Sequence, residues 1–360
     1  MRTLDRYLIS TFLKNLALAI VILVALFIFQ ALMGELLDKE FTSSQVLYHR
    51  FLTIPEIIIQ MLPPSVMIAT VFTLSGMSRT NELIATFSLG ISLGRLMSVL
   101  LSVVFIICCA TLVAQDRLLP PLFKNRMTYY WREMKKKNDF FLDSKRDKIW
   151  FRSGNRIYNL RTFDPKGQVI LGLTAYTFGD NFQLAQVLEA DRAVFTSEGW
   201  RLESGTNTTF VGKDSAPRTE KFVTFPIKIE ESPKDLQEIE REIDGLRLKE
   251  LYAYIKRTES AGLGTKKFEV KLHSKVSVSF IPLVMAALAV PFSTRGRRDG
   301  GVAKDLGLCL GITFFYWLFY SIGLSLGTNG ALPPVLAAWL PSIIFGVLAV
   351  TLIARRKSFS

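Results

Sequence analysis

Histidine occurs twice and cysteine three times in 360 residues, and that scarcity removes several chemistries at once. With only His49 and His273, a histidine-held metal or a nucleophile–histidine–acid triad lacks enough ligands or bases. Cys108, Cys109 and Cys309 all fall in strongly apolar runs, and adjacent cysteines cannot easily bridge, so no disulfide framework is expected. No phosphate-cradling glycine loop is present. "GLGTKK" at 262–267 has glycines and lysines without the required spacing. The pair Glu230–Glu231 sits at a strand-to-helix junction, where solvated carboxylates are the ordinary reading. An enzyme with its own catalytic site is excluded, and no metal or cofactor is expected.

Charge is missing from six long stretches, although the chain carries a net +13. Leu16–Met33, Ile57–Met77, Leu96–Gln115, Val276–Phe292, Leu306–Leu326 and Leu332–Ala354 contain no Asp, Glu, Lys or Arg. A bilayer core of about 30 Å is crossed by roughly 20 apolar residues of helix, and about 17 is the lower bound. Six membrane spans are therefore expected. The first is a retained anchor and not a cleavable signal, because Arg6, Tyr7 and Lys14 lead into it and no small-residue cleavage site follows. Six spans put both termini on one side. The short segments on that side hold Arg2, Arg6, Lys14, Arg79, Arg95, Arg295, Arg297, Arg298, Lys304, Arg355, Arg356 and Lys357. The short loops opposite, 34–53 and 327–331, hold only Lys39 and Arg50. This asymmetry predicts cytoplasmic termini and an extracytoplasmic 116–275 segment.

That segment divides by texture. Residues 1–115 are the first three spans, and 116–147 continue as a helical connector ending in "REMKKK". From 148 to 228, short β-rich runs alternate with turns such as "DPKG" and "GDN", which predicts an antiparallel sandwich or barrel. Residues 229–275 then read as helix, with Ser232–Pro233 at its start and Gly262 and Gly264 at its end. The last three spans occupy 276–360. The fold class is a membrane protein of six helices, three and three, around an inserted antiparallel β domain.

The spans carry Gln30, Gln60 and small hydroxyls but no ionisable relay, which disfavours an ion-coupled carrier of polar solutes. Any transport energy then comes from elsewhere. "RTNELIATFSLGIS", 79–92, lies between spans two and three and places Leu83, Phe87 and Ile91 at i, i+4 and i+8. Glu82 and Arg79 flank that stripe. An amphipathic helix here is suited to dock into a separate ATPase, the acid being favoured by the helix dipole. The competing reading is a helix lying flat on the membrane, but such helices are usually basic on the polar face, and this one has Asn81, Thr86 and Ser88.

Motifs in order along the chain carry a resemblance. They are "LDRYL" at 4–8, "TIPEIIIQMLPPS" opening span two, "NELIATFSLGIS", the start of the β domain around "RSGNRIY", "HSKVSVSFIPLVMAALAVPF", and "LGTNGALPPVLAAWLPSIIF". Together they resemble the lipopolysaccharide-export permeases LptF and LptG over nearly the full length. "LYAYIKRTESAG" and "LPPVLAAWLP" are more similar to LptG. The resemblance implies a jellyroll-like β domain and a half-transporter in the bacterial inner membrane. Its implied partners are a sister LptF, two copies of the ATPase LptB, LptC and an LptA-type periplasmic bridge; nucleic acid is not among them. Lipopolysaccharide is the implied cargo. Glu82 aligns with the family's coupling glutamate, and Lys39 loosely with basic residues that contact lipid phosphates. Arg50 is placed with Lys39 as a substrate contact, and Phe151, Ile157 and Tyr158 as inward-facing positions of the β domain. The alternatives are a membrane-anchored receptor or scaffold, and a lipoprotein-releasing permease, although the latter family places its external domain after the first span.

Overall fold

Each uncharged run coincides with a long helix, apart from Leu332 and Pro333, which precede the last one. The computed structural model describes residues 2–36, 42–130, 133, 142–143, 149–153, 155–164, 169–179, 183–196, 199–210, 217–227, 229, 245–260, 265–293 and 302–357. They form two compact units, Met1–Leu119 with Arg247–Ser360, and Pro120–Leu246. In the first unit the helices are α1 (Arg2–Leu36), α2 (Ser43–Arg79), α3 (Glu82–Ser88), α4 (Leu93–Val113), α6 (Leu248–Ser260), α7 (Lys266–Ser293), α8 (Val302–Thr328) and α9 (Pro334–Lys357). Helices α1, α2, α7, α8 and α9, together with α4 and its continuation, are long and apolar enough to cross a membrane.

Helices α1 and α2 overshoot the expected spans. The 35 residues of α1 reach about 52 Å at about 1.5 Å per residue, against a core of about 30 Å. The 34–53 loop is also shorter than expected, because α2 begins at Ser43. Gln45 Oε1 accepts the Thr42 backbone N–H at 3.1 Å, satisfying an entry donor, and Val46 is already buried one turn in. Arg50 is therefore a helical residue.

Lipid tails give no hydrophobic drive between helices, so the bundle depends on close contact and internal hydrogen bonds. Gly323 and Gly327 stand one turn apart on α8. A methyl on Gly327 would lie 2.4 Å from the Ala337 Cβ of α9 and 2.9 Å from a Val270 methyl of α7. Only a bare backbone fits there. The hydroxyls of Ser65, Thr70 and Thr73 donate to carbonyls four residues back at 2.7, 2.8 and 2.7 Å. They donate within their own helix, and Thr73 Oγ1 also accepts from the Asn15 side-chain amide of α1 at 3.0 Å. Between helices, Tyr316 pairs with Ser342 at 2.7 Å and Tyr320 with Ser277 at 3.2 Å.

α4 does not stop at its expected end. It runs through one π-helical turn, Ala114–Leu118, into α5 (Leu119–Tyr129). The expected helix start at Ser232–Pro233 and its end at Gly262 and Gly264 lie outside the described residues.

The second unit is built on β1 (Leu142–Asp143), β2 (Ile149–Ser153), β3 (Arg156–Asp164), β4 (Val169–Phe178), β5 (Leu184–Thr196), β6 (Gly199–Thr209) and β7 (Arg218–Ile227). The described strands pair antiparallel in strict chain order, a meander. Its connectivity is simpler than the Greek-key crossings of a strict jellyroll. The ladders skip one pair at a common level. Leu160–Leu173 is followed by Thr162–Leu171, Leu173–Ala190 by Leu171–Arg192, Ala190–Gly205 by Arg192–Glu203, and Gly205–Phe222 by Glu203–Thr224. Two of the skipped residues, Gly172 and Ser204, have φ of 65° and 51°. In β5 the buried positions change parity there, from Leu188 and Ala190 to Ala193. Such a crease re-aims the inward face. One sheet then encloses a core of Tyr158, Leu160, Ile170, Trp200, Leu202 and their neighbours, with Phe195, Phe222 and Phe225 half-buried around it.

Candidate functional site

The α2–α4 connection is shorter and more ordered than its sequence period implies. α2 carries Arg79 in its last turn, and Thr80 and Asn81 then turn the chain. Asn81 has φ 60°, a left-handed conformation that asparagine tolerates. α3 follows with seven residues. Its end is a Schellman motif. Gly90 has φ 77°, its N–H donates to the Phe87 carbonyl at 2.9 Å, and the Ile91 N–H donates to the Thr86 carbonyl at 3.2 Å.

That stop breaks the expected stripe. Ile91 is past the helix, and Leu83 is 3 % exposed, packed into this chain's own bundle cluster with Leu8, Phe12, Met77 and Leu96. In that position Leu83 anchors α3 to the chain's own helices. Thr86 joins it, its hydroxyl donating to the Glu82 carbonyl at 2.7 Å. The apolar surface left open is Ile84, Phe87 and Leu89, which are 62, 43 and 79 % exposed. Of these the i, i+4, i+8 template names Phe87 and passes over Ile84 and Leu89. Arg79 lies on α2, one turn residue short of Asn81, and is exposed.

Glu82 begins α3 half-buried, and its carboxylate takes a side-chain hydrogen bond from the Tyr7 hydroxyl of α1. Asp5 of α1 pairs with Arg95 of α4 at 2.9 Å. Both sides of the connection are therefore tied to the start of α1, and 79–95 shares an end of the bundle with the N-terminus.

At the other end of α4 a polar group collects that the sequence alone does not single out. The Gln115 side chain donates to Ser279 Oγ at 3.1 Å, and Asp116 Oδ1 accepts the Leu248 N–H at 2.8 Å. The Lys275 ammonium lies in the fields of Asp116 and Glu250. These residues are some 130 to 160 positions apart in the chain, so no local pattern joins them.

The remaining expected contacts separate. Lys39 lies outside the described residues. Arg50 is half-buried in α2, its carbonyl accepting from the Thr53 hydroxyl at 2.6 Å. Ile157 and Tyr158 are successive on β3 and so point to opposite sheet faces. Tyr158 is 2 % exposed inside the core, and Ile157 is half-buried outside that cluster. Phe151 of β2 is in register with Tyr158. On β4 the Tyr176 phenol is pushed above its ordinary range, first by burial and then by the Glu189 carboxylate.

Comparison with known proteins gives this geometry a context. A family model described as "Lipopolysaccharide export system permease LptF/LptG" matches residues 6–355. The lipopolysaccharide export system permease protein LptG of Escherichia coli K12 is 24 % identical over 216 residues, 58 % of this chain and 58 % of that protein. LptG of Escherichia coli O6:H1 (strain CFT073) matches to the same extent. The chain thus aligns with a little over half the length of these curated relatives. Both are LptG proteins, in agreement with the closer likeness to LptG. With a match that runs through all six helices and the β domain, the chain belongs to the LptF/LptG family of lipopolysaccharide export system permeases.

Proposed function

We propose that this chain is the permease half of an ABC transporter that lifts lipopolysaccharide out of the inner membrane. Its termini face the cytoplasm and its β domain the periplasm, as the distribution of Lys and Arg in the short loops favours. Two copies of an LptB-type ATPase supply the energy, because the chain has no nucleotide-binding loop of its own. A sister permease of LptF type completes the membrane gate. Cargo leaves along the rim of Phe195, Phe222 and Phe225 toward LptC and an LptA-type bridge, the half-buried aromatics receiving acyl chains.

The observation that carries the reading is the division of labour on α3. Leu83 and Thr86 hold it to the bundle, while Ile84, Phe87 and Leu89 stand exposed beside Glu82. A helix that only lay on the membrane would gain from basic residues on its polar face, and this one has an acid. Burying each exposed apolar side chain in a partner cleft contributes up to roughly 1.5–3 kcal/mol before the costs of association. Glu82 supplies register by pairing with a basic residue across the interface.

The test is coexpression with the candidate ATPase. Phe87→Asp is expected to abolish copurification, and Glu82→Ala to reduce lipid release in proteoliposomes while the membrane unit stays folded. Wild-type ATPase retention and release in both variants would refute the docking role.

A further inference from the structure

The chain leaves its first unit after Leu119 and comes back into it at Arg247. Asp116 stands three residues before that exit, and Leu248 one residue after the return. The two are joined, because Asp116 Oδ1 accepts the Leu248 N–H at 2.8 Å. A bond inside the membrane unit therefore closes the base of the inserted segment Pro120–Leu246.

Helix α6 needs that acceptor. The first backbone N–H groups of a helix have no partner within it. The cap position is Arg247, whose carbonyl accepts from the Leu251 N–H at 2.8 Å. A guanidinium has only donors, so this side chain cannot cap. Glu250 supplies one half of a capping box, its Oε2 accepting the Arg247 N–H at 3.0 Å. The acceptor that the cap residue lacks comes instead from Asp116, on another helix. Its negative charge also suits the positive end of the α6 dipole.

The π-helical turn Ala114–Leu118 presents that aspartate. Here the Leu119 N–H donates to the Ala114 carbonyl, one residue further back than in an α-helix, and the extra residue resets the helix phase. Gln115 and Asp116 then serve two neighbours. The Gln115 amide donates to Ser279 Oγ of α7 at 3.1 Å, while Asp116 holds the start of α6. Lys275, one turn before Ser279, carries its charge near both Asp116 and Glu250. α6 meets α7 again where Tyr254 packs edge-on against Phe268, the ring centroids 4.9 Å apart.

We infer that Asp116 is a positioning residue of the export step: through Leu248 it clamps the departing α4 to the returning α6, so that both ends of the inserted segment move as one with α4 and α7. The inference rests on the transport reading proposed above. α4 begins beside α3 and continues into this clamp, so a shift started at α3 reaches both connections through one helix. Without the bond, α6 turns about its own start while α4 moves.

Two measurements on the full complex test this: amide hydrogen exchange resolved at Leu248, and lipopolysaccharide released per ATP hydrolysed in proteoliposomes. Asp116→Ala is expected to speed exchange at Leu248 by about tenfold, the order expected for losing a hydrogen bond to a charged group. It should also lower release per ATP several-fold while ATPase copurification is unchanged. Asp116→Asn keeps a carbonyl acceptor and should hold both readouts close to wild type. Glu259→Ala, which removes an exposed carboxylate further along α6, should change neither. Unchanged exchange in Asp116→Ala overturns the clamp. Faster exchange with wild-type release per ATP overturns its part in export. An Asp116→Asn protein that behaves like Asp116→Ala overturns the hydrogen bond as its basis. Exchange raised equally throughout α7 shows general loosening and overturns the local role. A wild type that releases no lipopolysaccharide refutes the transport reading, and exchange at Leu248 still decides the clamp.

Discussion

Leu83 and Ile84 are sequence neighbours with opposite roles, and the difference is one of helix phase. About 100° separates consecutive side chains, so when Leu83 enters the bundle Ile84 turns out of it. Leu83→Ala is expected to destabilise the α3 seat by about 2–5 kcal/mol, the range for emptying a buried leucine site. Ile84→Ala should leave stability within about 0.5 kcal/mol, as surface changes do, yet weaken ATPase retention. Thermal unfolding and copurification, measured on both variants, read the two effects apart; equal melting losses would show that the phase is misassigned. Much of this site was legible in the sequence. Glu82 and Phe87 could be read from an acid and an aromatic in a short amphipathic run. The role of Leu83 could not, because a repeating stripe assumes an uninterrupted helix, and Gly90 ends this one after seven residues. The Tyr7–Glu82 bond joins two segments 75 positions apart, and no local period encodes that.

At the scale of elements, the six spans and the β domain were visible as uncharged runs and as turn-punctuated β-rich runs. Their ends were not. Ser43 to Thr53 reads as a polar loop, but a polar helix continuing beyond the bilayer has the same composition. The crease across β3 to β7 was hidden because it depends on five strands sharing one level, whereas a sequence shows each strand alone. The α8 contact was passed over, although Gly323 and Gly327 stand four apart in an apolar run, the spacing that brings transmembrane backbones together. Gly327→Val should separate α8 from α9, since its Cβ would start 2.4 Å from that of Ala337. Overpacking of this kind costs about 1–3 kcal/mol and occasionally more. Gly346→Val is the comparison, because nothing lies within 4 Å of a Cβ built there. Detergent melting should fall for the first and hold for the second; equal curves would show that α8 and α9 are not closely packed at Gly327.

For the whole molecule, the decisive quantity is which side each end occupies. The Tyr7–Glu82 and Asp5–Arg95 contacts bring the N-terminus and the α2–α4 connection to one end of the bundle. That agrees with an even number of crossings between them, and leaves the absolute direction to the charges. Basic residues crowd the short segments at that end, and long translocated domains do not follow the same rule, so the net charge of 116–275 has no vote. The overshoot of α1 places Arg6 and Lys14 beyond its uncharged run at the N-terminal end, and basic residues so placed favour the side with the more anionic surface. A periplasm-dependent reporter fused after Leu160 is therefore expected to be active, and one fused after Ser92 inactive. A fluorescent reporter that matures only in the cytoplasm should give the reverse pattern. Activity of the periplasmic reporter at Ser92 with silence at Leu160 would invert the protein. It would place α3 away from any cytoplasmic ATPase and remove the coupling proposal together with the direction of export.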